Sequence, residues 1–328
     1  MISPGKVTSL LLALSLTFLL GFPVAAGAAE KEINYGYLVA NVHDPFVMIM
    51  KEKKLLEAEG LKVKWGEYLA GASLMQHMAS GEVDFGILGV VPAMITRGQG
   101  VDVVMLAGAN TEGSGLVVKP SIKQMKDLDG TTIGTPGIGS IQDAMLDLVA
   151  KKYNIKIKHK NMKVSDMALY LQKGEIDGFI AWEPFPANAI ELGYGQMLAT
   201  SHDILPEHQC CALFTRGELI KKDPDAVRKV MRAYMKAFDF NRKNTKEVLE
   251  FEEKYTGMTK KTLDRAMRNV KFPSPPYVNV ASVKEQAEGL ISSGKIQKDA
   301  VKDVDKFVDS FYDPSFLKEY MMSISKGK

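Results

Sequence analysis

The chain is poor in cysteine, and the cysteines it has cannot join distant parts of the molecule. Its 328 residues include 2 Cys, and these are neighbours, Cys210 and Cys211. A disulfide framework is therefore excluded. We expect two small residues on a buried strand, and a strained disulfide between the neighbours is the alternative in an oxidising compartment.

An excess of charge of one sign is also missing. The 42 Lys and Arg residues nearly balance the 39 Asp and Glu residues, and the formal net charge is +3. Acidic and basic residues are mixed along the helical segments instead of forming a basic face. This balance gives no support for nucleic acid as a partner.

Several motifs that mark cofactor or catalytic sites do not occur. There is no G-x-x-x-x-G-K-[ST] segment, and the glycines near Gly137 do not have the G-x-G-x-x-G spacing of dinucleotide-binding turns. His77 has no His or Cys at a spacing suited to a shared metal ion. No Ser or Cys stands beside a base placed by a motif. We therefore predict no cofactor, no metal site and no enzymatic activity.

The one long apolar run lies at the N-terminus. It extends from Val7 to Phe22, follows Lys6 and is followed by small residues up to Ala29. Because it is shorter than the ~20 residues that a membrane span requires, we predict a cleaved secretory signal over residues 1–29, with an uncleaved anchor as the alternative. No cysteine follows the run, so a lipoprotein is not expected, and the mature protein is predicted to be periplasmic.

Beyond that run, short apolar strands alternate with amphipathic helices. Such repeated β-α units predict a mostly parallel sheet covered by helices on both faces, that is, an α/β fold. The last third of the chain is almost entirely helical in pattern, with helices expected at 223–243, 244–256, 259–269, 282–293 and 303–324.

The most informative stretch is residues 129–147. It predicts a short strand, a turn containing Gly137 and Gly139, and a helix for which Ser140 is a good N-cap. A helix that begins at the carboxyl end of a strand presents unpaired N–H groups, which suits an anion or the polar edge of a ligand. A similar start is expected at Ala72-Ser73, with Ser73 as N-cap. Glycine turns of this kind also occur without any ligand.

The order of strands predicts two lobes. About 300 mature residues exceed what one core usually holds. Short apolar strands near residues 115 and 210 interrupt the β-α series, as expected if the chain leaves lobe one, builds lobe two and returns through a two-strand hinge. Loops at the carboxyl ends of the strands would then converge on one cleft. These loops are 41–44, 70–73, 89–92, 110–114, 136–140 and 182–184.

Three segments carry a resemblance to a known family: residues 71–92 (GASLMQHMASGEVDFGILGVVP), 127–140 (DLDGTTIGTPGIGS) and 174–184 (GEIDGFIAWEP). The chain resembles the periplasmic substrate-binding proteins of ABC importers for nitrate, sulfonates, taurine and bicarbonate. The resemblance implies a type II periplasmic binding protein fold, with two doubly wound α/β lobes, a two-strand hinge and a helical C-terminal part packed on lobe one. It also implies a small-molecule ligand and a transporter permease as partners.

From the resemblance and the strand pattern together we predict the domains and the ligand-binding residues. Lobe one would comprise residues 30–114 and 213–328, lobe two residues 115–212, and the protein would be a monomer. The resemblance implies that the turn at 139–140, the helix start at 72–73 and the Trp182 loop line the pocket. The full predicted ligand-binding set is Asn41, His43, Ala72, Ser73, Val90, Asn110, Thr111, Gly137, Gly139, Ser140, Trp182 and Glu183.

The loops also restrict the chemistry of the ligand. None contains Arg or Lys, which disfavours a multiply charged anion and leaves a monoanion held by N–H and hydroxyl groups. Acidic residues in the same loops could accept hydrogen bonds from an amine, which leaves open a zwitterion such as taurine. A heteroaromatic such as a thiamine-precursor pyrimidine, stacked on Trp182, is the alternative ligand. An enzyme on the same fold and a sensory module are the alternative functions, and Glu183 could instead cap the helix that follows it.

Overall fold

The computed structural model of the protein describes residues 31–41 and 43–326, together with Met1, and Asp44 by its backbone alone. The predicted signal peptide covers residues that, apart from Met1, lie outside this part, and the same holds for the prediction that the protein is not a lipoprotein. The chain from Lys31 onward forms one compact unit. In the described part of the chain, no helix combines the length and the apolar character needed to span a bilayer.

Two separate sheets organise the described residues. Their strands alternate with helices along the first two thirds of the chain, as predicted. The strands are β1 (Lys31–Leu38), β2 (Leu61–Tyr68), β3 (Phe85–Gly89), β4 (Val103–Glu112), β5 (Ser114–Val118), β6 (Thr132–Thr135), β7 (Lys158–Asn161), β8 (Gly178–Trp182), β9 (Gln196–Thr200), β10 (Gln209–Arg216) and β11 (Val270–Lys271).

The sheets have six and five strands. The first has the order β11-β4-β10-β3-β1-β2, and the second has the order β7-β6-β8-β5-β9. In the first sheet β1 pairs in parallel with β2 and β3, whereas β10 is antiparallel to both of its neighbours. In the second sheet, β6 is parallel to β7 and β8, and β5 is antiparallel to β8 and β9. We call the six-stranded sheet and the helices packed on it lobe one, and the five-stranded sheet and its helices lobe two.

Helices cover both sheets and form most of the C-terminal third, which confirms the predicted fold class. They are α1 (Asp44–Glu52), α2 (Gly71–Ala79), α3 (Val90–Gly98), α4 (Ile141–Tyr153), α5 (Val164–Gln172), α6 (Phe185–Glu191), α7 (Ser201–Ile204), α8 (Gly217–Lys222), α9 (Pro224–Lys243), α10 (Thr245–Thr256), α11 (Lys260–Met267), α12 (Val280–Ser292), α13 (Val304–Phe311) and α14 (Ser315–Lys326).

The single helix predicted at 303–324 is wrong. Helix α13 ends at Phe311 and α14 begins at Ser315. Between them the backbone of Tyr312 forms a bridge with Met105 of β4, and the N–H of Asp313 donates to the Met105 carbonyl at 2.9 Å. Pro314 then follows, and a proline has no N–H to continue the ladder and disfavours a helical residue before it. Pairing with β4 therefore splits the helix.

The predicted N-cap at Ser73 is also wrong. Helix α2 begins three residues earlier than predicted, at Gly71, with Ala70 in the N-cap position and no side chain capping it. A Cβ atom at position 71 would lie 2.7 Å from Cγ of Pro92, so glycine lets this helix start pack directly against α3. By contrast, Ser140 is the N-cap of α4 and accepts the N–H of Asp143 at 3.1 Å, as predicted.

The chain crosses between the two sheets twice. The first crossing is the single residue Gly113, between β4 and β5, where Glu112 and Gly113 have φ angles of +64° and +99°. The second lies between the end of α7 and Gln209, where β10 re-enters the first sheet. Sheet pairing thus changes somewhat before the predicted boundary at 212/213. The domain limits themselves stay a prediction.

Candidate functional site

A cleft with a cavity volume of about 70 Å³ lies between the two sheets. Five of the six predicted loops contribute to it, and loop 110–114 runs through the first crossing instead. Its lining residues come from both lobes: Leu38, Asn41, Ala70, Gly71, Ala72, Gly89, Pro92, Pro136, Gly137, Ile138, Gly139, Ser140, Ile141, Gln142, Trp182, Cys210 and Cys211.

Three helices begin at this cleft. Lobe one supplies the starts of α2 and α3, with Ala70 and Gly89 as N-caps, and lobe two supplies the start of α4 at Ser140. The first N–H groups of a helix have no acceptor within that helix and carry a partial positive charge. Among the residues that the structure describes, no Lys or Arg lines the cleft. The site can therefore attract one negative charge through backbone dipoles without a fixed cation.

The turn at 136–140 is shaped by its glycines and held by one carboxylate. Gly137 and Gly139 have φ angles of +141° and +80°, which side-chain-bearing residues rarely adopt. The N–H of Gly139 donates to Oδ2 of Asp143 at 3.0 Å. A Cβ at Gly139 would also lie 3.0 Å from Cδ1 of Ile95 in lobe one. This turn therefore closes against the opposite lobe at van der Waals distance.

Trp182 spans the cleft. Its side chain is 4% exposed, and its indole N–H donates to the Ala40 carbonyl of lobe one at 3.2 Å. On the lobe-two side its ring lies 6.3 Å from that of Phe185, close to perpendicular. The Trp182 ring thus packs against Phe185 in lobe two, and its polar edge is hydrogen-bonded to lobe one.

The adjacent cysteines lie at the cleft, which sequence reasoning did not predict. Their Sγ atoms are 3.6 Å apart, too far for a disulfide. Register irregularities between β10 and β4 occur on both sides of Cys211, so the usual alternation of side chains along a strand is interrupted here. Contact with Cys211 and the neighbouring His208 lowers the pKa of the buried Cys210 thiol to about 6. A bulge of this kind has no reliable signal in the sequence.

Half of the predicted ligand-binding residues line the cleft, namely Asn41, Ala72, Gly137, Gly139, Ser140 and Trp182. The other six do not line it. His43 is fully buried, its N–H donates to Oδ1 of Asn41 at 3.4 Å, and burial lowers its pKa to about 3. Five more are outside the lining: Ser73, Val90, Asn110, Thr111 and Glu183. Within the described residues, no group of three or more His, Cys, Asp or Glu side chains is arranged to hold a metal ion.

Glu183 illustrates why these residues are absent from the lining. Its Oε2 accepts the N–H of Ala187 at 3.1 Å, within the first turn of α6, and its Oε1 accepts from Nδ2 of Asn269 in lobe one at 2.6 Å. This is the helix-capping alternative, with a bond between the lobes added. Similarly, Nδ2 of Asn110 donates to the Glu112 carbonyl at 3.0 Å and supports the first crossing.

Burial raises the pKa of Glu183 to about 7. A carboxyl whose pKa is raised on folding contributes stability that is complete below about pH 4.5 and is lost as the pH rises through 7. We expect Glu183→Gln to reduce the fall in unfolding free energy between pH 5 and pH 8 by up to ~3 kcal/mol. Urea unfolding at the two pH values measures this.

The control for Glu183→Gln is Glu175→Gln, which changes an exposed carboxylate of the same lobe. Burial also raises the pKa of Glu252, to about 8. Its contribution to the pH dependence of stability is the same in the parent, in Glu183→Gln and in Glu175→Gln. An unchanged pH dependence in Glu183→Gln would contradict the assignment.

Comparisons with known proteins find relatives by sequence and neighbours by fold. A curated binding protein of Brucella abortus (strain 2308) is 25% identical over 269 residues, which cover 80% of this chain and 83% of that protein. The taurine-binding periplasmic protein of Escherichia coli is 30% identical over 166 residues, 49% of this chain and 51% of that one. The periplasmic nitrate-binding protein NrtA of Synechocystis superposes with a TM-score of 0.75 at 14% identity, covering 89% of each chain.

One relative is an enzyme. The 4-amino-5-hydroxymethyl-2-methylpyrimidine phosphate synthase THI13 of Saccharomyces cerevisiae is 24% identical over 218 residues, 59% of this chain and 62% of that one. The family model that matches the chain is that of the NMT1-like family, and it spans residues 26–250. The chain has the fold of periplasmic binding proteins, and because the family model spans more than half of its length, it belongs to the NMT1-like family.

Proposed function

We propose that this protein captures a small monoanion or zwitterion, such as nitrate, an alkanesulfonate or taurine, and delivers it to the permease of an ABC importer. The observation that carries the proposal is the convergence of three helix starts from both lobes on a cleft without Lys or Arg. Helix N-termini stabilise a negative charge through unpaired N–H groups and the helix dipole, whereas a multiply charged anion usually also has a guanidinium or ammonium partner, which the described lining does not supply.

Binding would proceed by closure of the two lobes. The solute would dock on the starts of α2 and α3 in lobe one. Lobe two would then rotate about Gly113 and the segment before Gln209, bringing the 136–140 turn and Trp182 over the solute. Closure expels water, and the lower local dielectric strengthens the interaction between the solute and the N–H groups.

The test is isothermal titration calorimetry with nitrate, taurine, methanesulfonate, ethanesulfonate and bicarbonate, with citrate as a multiply charged comparison. We expect at least one monoanion or zwitterion to bind and citrate to give no heat. Saturable binding of citrate in preference to every singly charged compound would contradict the proposed site chemistry.

A thiamine-precursor pyrimidine is the second candidate ligand. It is favoured by the similarity to the yeast pyrimidine phosphate synthase and by the aromatic face of Trp182 at the cleft. An aminopyrimidine titrated in the same series separates the two. Binding of the pyrimidine without any of the anions would replace the first proposal by the second.

Export to the periplasm and docking on a permease are parts of the same proposal. They are supported by the signal-like sequence at 1–29 and by relatives named as periplasmic binding proteins. Use of the same cleft in a sensory role is the alternative, and restoration of solute uptake in a deletion strain distinguishes transport from sensing.

A further inference from the structure

A lysine of lobe one is inserted between two carboxylates of lobe two, at one side of the cleft. Nζ of Lys295 lies 2.6 Å from Oδ2 of Asp143 and 2.6 Å from Oδ2 of Asp147. Lys295 follows α12, which packs on α3 and β10 of lobe one, whereas both aspartates lie one turn apart on α4. The lysine side chain is 16% exposed and that of Asp143 is 3% exposed. This ion pair therefore exists only when the lobes are together.

Asp143 is also the residue that holds the 136–140 turn. The oxygen that accepts from Lys295 also accepts the N–H of Gly139, and the N–H of Asp143 donates to Oγ of Ser140. Its other oxygen is bonded to Nδ1 of His159 at 2.7 Å. One buried carboxylate thus joins the cleft turn to a cation that arrives from the opposite lobe.

The same carboxylate creates an electrostatic difficulty for an anion. Asp143 lies in the first turn of α4, whose N-terminal N–H groups face the cleft, so its negative charge is close to any anion bound there. Like charges in a partly buried site repel strongly because the local dielectric is low. Lys295 offsets this charge from behind the lining, and it is placed to do so only after closure.

We propose that Lys295 is a positioning residue for solute binding: on closure it neutralises Asp143 and fixes the 136–140 turn, and so retains a bound anion. This inference rests on the proposed capture of an anion. Because Lys295 pairs with Asp143 whenever the lobes are together, with or without solute, its loss mainly speeds opening, so its effect falls on the dissociation rate and leaves the association rate nearly unchanged.

The experiment compares Lys295→Met with Lys298→Met, a control that removes an exposed lysine from the following turn. Trp182 is the reporter, in a Trp65→Phe background that leaves it as the single tryptophan. For a solute found by calorimetry, stopped-flow fluorescence of Lys295→Met should give a dissociation rate raised about tenfold, with an association rate within about twofold of the parent. Lys298→Met should match the parent.

Two further measurements separate positioning from a general loss of stability. Lys295→Arg keeps a cation that can reach both carboxylates and should recover most of the slow dissociation. The effects of Lys295→Met and Ser140→Ala on affinity should be less than additive, because both loosen the same turn through Asp143. Strict additivity, or failure of the arginine to recover the rate, would overturn the proposal.

The proposal can also be judged if no anion binds. With no solute added, Lys295→Met should shift Trp182 emission to longer wavelength and increase the radius of gyration in solution scattering, because the closed arrangement loses an ion pair. If Lys295→Met behaves like Lys298→Met in both measurements, Lys295 does not hold the lobes together, whatever the outcome of the solute titrations. A solute series without binding, together with an emission shift in Lys295→Met, would reject the proposed ligand class and retain the closure role.

Discussion

Trp182→Ala is expected to weaken solute binding by about 100-fold or more. Trp182 lines the cleft, is almost fully buried and bonds to the Ala40 carbonyl of the opposite lobe at 3.2 Å. Deleting a buried tryptophan side chain typically costs about 3–5 kcal/mol. Lobe opening would separate Trp182 from Ala40, so much of that cost should fall on the closed state, and about 2.7 kcal/mol already corresponds to a 100-fold loss of affinity. Calorimetry with the best-binding solute measures the effect.

Trp182→Phe is the matched variant. It keeps an aromatic ring beside Phe185 but removes the indole N–H that bonds across the cleft. We expect an intermediate loss of about tenfold, because a neutral hydrogen bond contributes about 1 kcal/mol and some packing is lost with it. If alanine and phenylalanine variants both bind like the parent, Trp182 does not form a wall of the binding site and the proposed pocket is wrong.

Glu112→Gln is expected to destabilise the fold by about 3–5 kcal/mol, because breaking a buried ion pair leaves the partner charge uncompensated. The carboxylate of Glu112 is 3% exposed and lies at the first crossing. It accepts hydrogen bonds from Oγ of Ser201, from Nδ1 of His202 and from the N–H of Glu207, and Nδ1 of His208 lies 3.5 Å away. These partners all belong to the second crossing or to the helix before it. The carboxylate thus ties the two crossings together.

Because of Glu112 and His208, the free energy of unfolding should fall both at acidic and at alkaline pH. Burial opposes ionisation of Glu112, yet His208, His202 and Ser201 lower its pKa to about 2, so its contribution is lost as the pH falls from about 4.5 towards 2. Burial likewise opposes the charged form of His208, but Cys210 and Glu112 raise its pKa to about 9, so its contribution is lost as the pH rises from about 6.5 towards 9.

Urea unfolding at pH 3, 5.5 and 9 tests the pair. In Glu112→Gln the unfolding free energy should fall most at pH 5.5, where both groups of the parent are charged, and vary less with pH on either side. Glu207→Gln, which changes an exposed carboxylate in the second crossing, should lie within about 0.5 kcal/mol of the parent at all three values. Equal losses of unfolding free energy in Glu112→Gln and Glu207→Gln would show that Glu112 does not tie the two crossings together.

Local chemistry made part of the site predictable. The glycine turn at 136–140 and the cap at Ser140 follow from backbone preferences that a few adjacent residues settle by themselves. Apolar periodicity likewise indicated most strands and helices and the α/β class. The start of α2 was missed because it depends on the close approach of Gly71 to Pro92, and the break before α14 because it depends on pairing with β4.

The sequence does not indicate which of the predicted polar residues face the cleft. His43 and Glu183 follow strands, as ligand-binding residues often do, yet both are buried outside the cleft lining. Glu183 accepts hydrogen bonds from the N–H of Ala187 and from Nδ2 of Asn269. Conversely, Cys210 and Cys211 line the cleft beside an irregularity in strand pairing. Burial and register depend on the strand across the sheet, and that neighbour is distant in sequence.

The amino-acid sequence by itself determined the α/β alternation, the helix starts with unpaired N–H groups and the lack of cationic residues in the predicted loops, because each depends on residues a few positions apart. Tertiary structure alone decided that three of those starts meet in one cleft, that Trp182 bonds across it and that Lys295 reaches Asp143. The two contacts join residues 142 and 152 positions apart, and the three helix starts come from separate β-α units, so only the packing of the two lobes brings them together.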